Sequence, residues 1–293
     1  MVRSRRMWSP ASVRPIAVAL AGVVVLASCT GPSETRTSAP TAPAIVSADG
    51  SRHVVVIAME NTTPQQAFGA PYLASLSASA LVFSSYHSVA HPSLPNYLAL
   101  TSGQTWSIRD DGHHVLAAGQ DLGAQLTAAR IPWRAYMEGM TAGCLNSPAP
   151  YAVWHNPFAY YGGTCPPNVV SFASLATDLG TGLAPFTWIT PDLCHDGHDC
   201  GATAADAWLR TIVPQVTASP GWQPNGVLIL VWDEGSASRP DEAPLVVVTA
   251  RGRAGTVETS ADAYSVLATI EELYGLTKLG SASDARSFTA LLD

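Results

Sequence analysis

Acidic side chains follow two of the most apolar segments of the chain. Glu60 and Asn61 lie in the MEN that follows HVVVIA, and Asp233 and Glu234 come directly after VLILVW. Such runs are typical of strands buried on both faces. Acids that merely end strands in loops are common, but two such pairs favour convergence at one place. Because carboxylate and amide oxygens bind hard divalent cations, we predict a metal site made by these four residues.

Ser93 lies in HPSLPNY, where a loop enters a predicted helix that runs from Ser93 to Thr101. A hydroxyl at this point meets free N–H groups and the positive end of the helix, which stabilise an alkoxide and bind phosphate oxygens. Asn96, one turn later, is a candidate to bond a second phosphate oxygen. The alternative is that Ser93 only caps the helix. The chain contains no GxSxG segment, so a triad esterase is not supported.

A third polar cluster, PDLCHDGHDC, follows the predicted strand FTWIT. Its ionisable side chains are Asp192, His195, Asp196, His198 and Asp199. Histidine and aspartate at such short spacing suit metal binding or general acid catalysis. A lone histidine is usually structural, but so many such groups on one loop seldom are. We expect Asp196 and His198 to take part in catalysis and His195 to contact the substrate.

Strand-like and helix-like segments alternate from about Arg52 onward. This alternation predicts an α/β fold with a mostly parallel central sheet and helices on both faces. Ligands of open parallel sheets bind beyond the carboxyl ends of the strands, so we expect the polar clusters at one rim. Residues 140–170, rich in Pro, Gly, Asn and aromatic residues, form a long excursion. The predicted strands are HVVVIA, LVFSSYH, WRAYME, FTWIT, VLILVW and PLVVVTA.

The residues before position 52 are predicted to lie outside the catalytic domain, which spans residues 52–293. Residues 1–28 begin with the basic MVRSRRM and continue with the short apolar run IAVALAGVVVLA, the pattern of a signal peptide. The run ends in LASC, which looks like a bacterial lipobox with Cys29 as the lipidated residue. Ordinary cleavage beside an incidental cysteine is the alternative. Residues 29–51 are rich in Pro, Ser, Thr and Ala, which predicts a flexible tether.

The chain has a net charge of −7 and no segment that resembles a basic groove. Such a surface repels nucleic acid, which we exclude as a partner. A phosphate substrate therefore needs a local source of positive charge, and a bound metal is the natural one.

Four cysteines remain when Cys29 is set aside. An even number in an exported chain suggests two disulfides, and the sequence alone allows three pairings. Only five residues separate Cys194 from Cys200, which favours a local pair and leaves Cys144 with Cys165. A zinc site is the alternative, although no CxxC pair is present.

Several segments together carry a resemblance to a known family: VVVIAMEN, YHSVAHPSLPNYLALTSG, CHDGHDC, LILVWDE and YSVLATIEELYGL. Over residues 52–276 the chain resembles the bacterial phosphoesterase family of acid phosphatases, phosphatidylinositol-phosphate phosphatases and phospholipase C enzymes. That family belongs to the alkaline-phosphatase-like superfamily. The resemblance implies that Ser93 is a nucleophile, that Asn96 binds phosphate, and that His91 and His198 lie near the site. It also implies that the metal ligands are Glu60, Asn61, Asp233 and Glu234.

The function expected from the resemblance is hydrolysis of phosphate monoesters through a phosphoserine intermediate on a metal-activated Ser93. His198 or Asp196 would protonate the leaving group. A phosphodiesterase of the phospholipase C type and a surface-binding lipoprotein on a degenerate enzyme fold are the alternatives. The expected substrate is a phosphorylated small molecule or a lipid headgroup, and the expected location is the outer face of the cell membrane, through the lipid anchor.

One position departs from the family pattern. Relatives carry a histidine before the closing helix, where this chain has Ala263 preceded by Asp262. Alanine has no donor atom, so we expect one divalent metal rather than two. The histidines His91, His195 and His198 would then supply further positive charge as imidazolium donors.

We predict that Cys29 carries lipid and that residues 1–28 are absent from the mature protein, because LASC closes the apolar run. Cys29→Ser should abolish lipidation and release the protein from the membrane fraction. Ser28→Ala keeps a small residue before the cysteine and should leave lipidation intact. Intact-mass analysis of membrane fractions measures both variants. An unlipidated mature protein that begins at another residue contradicts the prediction.

Overall fold

The computed structural model describes residues 52–293, so the predicted signal peptide, Cys29 and the tether lie outside the described residues. Eight strands form one sheet: β1 (His53–Met59), β2 (Leu81–Phe83), β3 (Trp133–Met137), β4 (Val169–Ser171), β5 (Phe186–Thr190), β6 (Gly226–Trp232), β7 (Leu245–Thr249) and β8 (Gly255–Val257). Their order across the sheet is β4-β3-β5-β1-β6-β7-β2-β8.

The sheet is mostly parallel, as predicted. Strands β4, β3, β5, β1 and β6 are successively parallel, and β2 is parallel to β8. Only β7 runs against its neighbours, since it pairs antiparallel with both β6 and β2. The carboxyl ends of the central strands therefore meet at one rim, where a ligand site of an open sheet is expected.

Seven α-helices cover the sheet within residues 52–293: α1 (Pro64–Gly69), α2 (Pro71–Ser77), α3 (Ser93–Ser102), α4 (Leu122–Ala128), α5 (Leu175–Thr181), α6 (Gly201–Ala218) and α7 (Ala263–Tyr274). Helix α3 packs against α4 and α7, and α6 packs against α1 and α2. None of the helices in this part of the chain is both long and apolar enough to cross a membrane.

Every residue of β1, β5 and β6 is buried. Because successive side chains of a strand point to opposite faces, complete burial requires cover on both faces of the sheet. This is the physical reason that the segments HVVVIA and VLILVW are continuously apolar rather than alternating. The α/β architecture predicted from the sequence is confirmed.

The structure differs from the predicted elements at the sheet edges. Only Leu81–Phe83 of LVFSSYH forms a strand, and Tyr86 and His87 make isolated bridges to Ala261 and Glu242. The short strands β4 and β8 were not predicted. Strands of three residues lack a detectable period, and their pairing partners are distant in sequence.

Glu271, on α7, is a buried carboxyl that the site does not use. Its Oε1 accepts a hydrogen bond of 2.8 Å from the Leu279 N–H, while its Oε2 has no hydrogen-bond partner. Burial raises the pKa of Glu271 to about 7. The folded state therefore binds this proton more tightly than the unfolded chain does, and the contribution of Glu271 to stability is lost as pH rises from about 4.5 toward 7 and above.

We predict that Glu271→Gln makes the free energy of unfolding less dependent on pH. The amide keeps the shape and the acceptor for Leu279 but cannot ionise, so the variant should gain on the order of 2 kcal/mol over the wild type between pH 5 and pH 8. Urea unfolding at both pH values measures this. The exposed neighbour Glu272 provides the control Glu272→Gln, which should leave the pH dependence unchanged. Parallel pH profiles for wild type and Glu271→Gln would refute the prediction.

Candidate functional site

The pairing of β1 with β6 brings two acids together. The strands are in parallel register from His53 opposite Gly226 to Met59 opposite Trp232. The register continues past the strand ends, where the Asp233 N–H donates to the Met59 carbonyl at 3.0 Å. Glu60 and Asp233, the next residues on each strand, are both buried. Two of the predicted metal ligands therefore lie side by side at the rim.

Asp196 completes a group of three buried carboxyls with Glu60 and Asp233. The Glu60 N–H donates to the Asp196 carbonyl at 3.0 Å, which ties the 192–200 loop to the end of β1. Within residues 52–293 none of these three carboxyls forms an ion pair with a lysine or arginine. Among the described residues, the basic side chain in contact with them belongs to a histidine.

Ser93 is buried at the first turn of α3, and its hydroxyl donates a hydrogen bond of 3.0 Å to Glu60 Oε2. The N-cap position of α3 is occupied by Pro92, and Ser93 is the first helical residue, so helix capping does not account for this serine. The start of the helix offers fewer free N–H groups than the sequence led us to expect. The Leu94 N–H already donates to Asp111 Oδ1 at 2.9 Å, and Pro95 has no N–H.

His155 is a site residue that the sequence did not reveal. It is buried, with its Nδ1 at 3.0 Å from Asp196 Oδ2 and its Nε2 at 3.2 Å from Glu60 Oε1. The Nε2 contact lacks hydrogen-bond geometry. The ring stacks on Tyr97 of α3, with ring centres 5.3 Å apart. In the sequence, His155 is a single histidine in the VWHNP segment of the long excursion. That segment does not follow a predicted strand, so nothing in the sequence placed it at the rim.

The electrostatics of this group favour a cation. Burial, reinforced by the charges of Asp233 and Asp196, raises the pKa of Glu60 well above its usual value. Burial, reinforced by Glu234, does the same for the pKa of Asp233. Glu60 Oε1 and Asp233 Oδ2 are buried without a hydrogen-bond partner. Because unpaired buried carboxylates are costly, these free oxygens fit a hard divalent ion.

The other two predicted metal ligands lie on the same two loops. Asn61 has a φ of 44°, a left-handed conformation that asparagine tolerates better than most residues. Glu234 is partly buried and contacts His91, whose Nδ1 lies 2.5 Å from Glu234 Oε2. His91 Nε2 lies 2.9 Å from Asp241 Oδ1. Burial lowers the pKa of His91, but hydrogen bonds to Asp241 and Glu234 outweigh it and raise that pKa overall.

Asn96 braces the loop that leads into α3. Its Oδ1 accepts from the Val89 and Ala90 N–H groups at 3.0 Å each, and its Nδ2 donates to the Ala90 and Pro92 carbonyls at 2.8 and 3.3 Å. The amide is therefore fully engaged by protein groups. In this structure Asn96 positions the approach to Ser93 and has no donor left for a phosphate oxygen.

The structure places the histidines and acids of PDLCHDGHDC in different surroundings. Asp196 is buried at the site, whereas His198 is exposed, with its ring centre 5.7 Å from that of His155. His195 belongs to a separate group with Glu138 and Asp192, whose potential ligand atoms all lie within 4.8 Å of one another. His195 Nδ1 is already 3.0 Å from Glu138 Oε2. His195 is thus not brought to the same place as Ser93, and the sequence did not reveal Glu138.

Two disulfides support the loops around the site. Cys194 is bonded to Cys200, with Cα atoms 4.7 Å apart, and closes the loop that carries Asp196. Cys144 is bonded to Cys165, with Cα atoms 5.7 Å apart, within the long excursion. These are the two pairs that the sequence favoured, and they leave none of the four thiols free for zinc.

Ala263 is buried at the first position of α7. The preceding Asp262 caps this helix, because its Oδ1 accepts from the Ser265 N–H at 2.9 Å. Ala263 therefore supplies no ligand where the resemblance led us to expect a histidine, and one carboxylate oxygen of Asp262 is used by the helix cap.

Comparisons with known proteins identify the family of the chain. The Phosphoesterase family matches residues 69–277, most of the chain. The chain is 30% identical to the phosphatidylinositol-3-phosphatase of Mycobacterium tuberculosis, over 81% of each chain. It is 26% identical to the phosphate-repressible acid phosphatase of Penicillium chrysogenum over 77% of its own length, and it spans only 60% of that enzyme.

Solved structures share the fold at low sequence identity. A protein of the alkaline phosphatase superfamily from Vibrio parahaemolyticus has a TM-score of 0.60 at 14% identity, over 82% of this chain and 70% of that one. The phosphonate monoester hydrolase of Agrobacterium radiobacter has a TM-score of 0.54 at 12% identity, over 82% and 77%. With buried carboxyls and Ser93 at the rim of such a sheet, the chain belongs to the Phosphoesterase family and is a phosphoric ester hydrolase.

Proposed function

We propose that this protein hydrolyses phosphate monoesters, with Ser93 as nucleophile and a phosphoserine intermediate. The observation that carries the proposal is the hydrogen bond from Ser93 Oγ to Glu60 Oε2, at 3.0 Å, beside the buried Asp233. This bond orients the hydroxyl at the entrance of α3. The named activities of the mycobacterial and fungal relatives, a phosphatidylinositol-3-phosphatase and an acid phosphatase, support a monoester over a diester.

The residues that would hold a single divalent metal are Glu60, Asn61, Asp233 and Glu234. Bound there, the metal would offset the buried negative charge and lower the pKa of the Ser93 hydroxyl. The free oxygens of Glu60 and Asp233 support this assignment. His155, between Glu60 and Asp196, would hold both carboxylates in position.

In the proposed reaction, the Ser93 hydroxyl gives its proton to Glu60 Oε2, which accepts its hydrogen bond, and the Ser93 oxygen attacks phosphorus as the bond from phosphorus to the leaving alcohol oxygen breaks. His198 would give that leaving oxygen its proton. Water would then attack phosphorus and pass one proton to His198, and the bond from phosphorus to Ser93 would break as the Ser93 oxygen takes its proton back from Glu60. His198 is better placed than Asp196 to protonate the leaving oxygen. Both Asp196 oxygens are engaged, one by the His198 N–H at 2.8 Å and the other by His155 at 3.0 Å.

The charged surroundings of Ser93 limit where the substrate phosphate can lie. His91 is held by Glu234 and Asp241 at the exposed side of the site. We propose that it contacts the phosphate or the leaving group from that side. A phosphodiesterase of the phospholipase C type is tested by comparing p-nitrophenyl phosphate with bis-p-nitrophenyl phosphate.

We further propose that the domain works at the outer face of the cell membrane. Lipid on Cys29 would anchor it there through the tether of residues 29–51. The LASC segment and the composition of the residues after it support this proposal. A tethered phosphatase could act on soluble phosphate esters or on lipid headgroups at the surface.

We predict that Ser93→Ala lowers phosphatase turnover by about a thousandfold or more without unfolding the protein. Loss of the Ser93 hydroxyl, which makes one hydrogen bond, should lower the free energy of unfolding by only about 1 kcal/mol. Thr101→Val, which removes another buried hydroxyl from α3, should cost similar stability and keep turnover. Rapid acid quench and peptide mass spectrometry should find phosphate on Ser93 in the wild type. Activity of Ser93→Ala above about a tenth of wild type would exclude Ser93 as nucleophile.

We predict that one divalent ion per chain stabilises the protein by neutralising Glu60 and Asp233. At a metal concentration of 100 times the dissociation constant, the gain should be about 2.7 kcal/mol. Asp233→Asn should remove that gain and, in chelator, should be more stable than the wild type, because it relieves repulsion between buried carboxylates. Thermal unfolding and metal analysis measure this.

Asp192→Asn is the matched control, since Asp192 lies in the separate group with Glu138 and His195. This variant should bind one metal equivalent, as the wild type does. Two equivalents in the wild type and one in Asp192→Asn would show instead that the second group also binds metal.

A further inference from the structure

A cavity of about 350 Å³ lies beside the segment that leads to Ser93. Residues Val89–His91 line one side, and Thr105 with Ser107–Arg109 line the other. Its volume is that of a small-molecule site. His91 connects the cavity with the catalytic group, because its ring contacts Glu234. The same segment continues into Ser93, two residues after His91.

The first wall of the cavity is held rigidly. The Val89 and Ala90 N–H groups are bound by the Asn96 side chain, and His91 is bound between Glu234 and Asp241. These contacts fix the wall to α3 and to the loop after β6. The wall can therefore keep a constant position relative to Ser93 while a substrate binds.

The second wall is a strained turn. Trp106 and Ser107 have φ values of 55° and 58°, and the Ile108 N–H donates to the Thr105 carbonyl at 3.0 Å. The left-handed conformation is unfavourable for non-glycine residues and persists where surrounding contacts enforce it, often at functional sites. Here the Trp106 indole N–H donates to Ser102 Oγ on α3 at 2.9 Å. This hydrogen bond anchors the turn to α3, and the turn places Ser107 and Arg109 at the cavity.

Arg109 is the arginine that lines this cavity. It takes part in none of the ion pairs formed within residues 52–293. The acids next to it in sequence are engaged elsewhere: Asp110 contacts His114 at 2.7 Å, and Asp111 binds the Leu94 N–H at 2.9 Å. In an acidic protein, an unpaired guanidinium beside the site is available to an anion.

We propose that this cavity binds the leaving group of the phosphate ester and that Arg109 selects leaving alcohols that carry a second anionic group. The inference rests on the proposed monoesterase function and names its substrate class. The second group can be a phosphate, a phosphodiester or a carboxylate, because a guanidinium binds each through paired N–H bonds. A neutral alcohol occupies the same cavity without this contact.

The test compares two substrates with the same inositol ring. Inositol 3-phosphate has an uncharged leaving group, and dibutanoyl phosphatidylinositol 3-phosphate, which is soluble in water, adds a phosphodiester. Wild type should prefer the second in kcat/KM by about tenfold, the value of one exposed charge-assisted contact. Arg109→Gln should lose most of that preference, and Arg109→Lys should retain part of it. Arg210→Gln, on the exposed surface of α6, removes the same charge elsewhere and should preserve it.

A third arm presents phosphatidylinositol 3-phosphate in phosphatidylcholine vesicles. A loss of activity on Arg109→Gln with both soluble and vesicle substrates supports a headgroup contact in the cavity. A loss with vesicles alone assigns Arg109 to the lipid surface and overturns the proposal, as does an equal loss with the two soluble substrates.

Calorimetry on the Ser93→Ala protein provides a readout that does not need turnover. The phosphodiester ligand should bind about tenfold more weakly when Arg109→Gln is added, while binding of inositol 3-phosphate changes less. If wild type hydrolyses neither soluble substrate, the proposed function fails, and the binding difference alone decides the role of Arg109. Equal binding losses for the two ligands would refute it.

Discussion

The parallel pairing of β1 with β6 is the constraint on which the site depends. Seven residue pairs from His53–Gly226 to Met59–Trp232 set a register that leaves Glu60 and Asp233 adjacent at the strand ends. A shift of one residue would turn every side chain of the shifted strand to the opposite face and move Glu60 and Asp233 apart. Because β1 and β6 are packed on both faces, such a shift would require their buried side chains to repack, and the observed register places the two carboxyls side by side. The core stabilises an arrangement that the carboxylates alone would oppose.

Burial of Glu60, Asp196 and Asp233 together has a cost that determines the chemistry available at the rim. Desolvation and mutual repulsion raise the pKa values of Glu60 and Asp233. Among the described residues, the only basic side chain in contact with these three acids is that of His155. A site of this kind is stabilised by a hard cation, and it holds the Ser93 hydroxyl where such an ion would act. The acidic surface of the protein leads to the same requirement, since a phosphate cannot approach without local positive charge.

Several loops hold Ser93 and the buried carboxyls in position. The Asn96 amide fixes residues 89–92, the Cys194–Cys200 disulfide closes the loop of Asp196, and Asp111 binds the Leu94 N–H in the first turn of α3. Ser93 is thus placed by contacts from three different parts of the chain. The strained turn at Trp106 and Ser107 adds a rigid wall on the exposed side, where the leaving group of a phosphate ester would lie.

Local patterns in the sequence were sufficient to predict the fold class, the central strands and the convergence of Glu60 with Asp233. Continuous apolar runs identify strands buried on both faces, and parallel strands bring their carboxyl ends to one rim. The position of Ser93 at a helix entrance followed from the same local reading. Short spacing also favoured the Cys194–Cys200 pair. These features depend on neighbours in sequence or on the general geometry of sheets.

Only the tertiary structure decided which distant groups share the site. His155 reaches Glu60 and Asp196 from a segment without periodicity, and no local pattern distinguishes it from a structural histidine. Asp196 and His195 are adjacent in sequence, yet backbone hydrogen bonds turn one toward Glu60 while the other contacts Glu138. The Asn96 amide is used by its own loop, and Arg109 lines a cavity with His91. Side-chain direction and loop packing produce these results, because contacts made across the fold leave no spacing in the sequence from which they could be predicted.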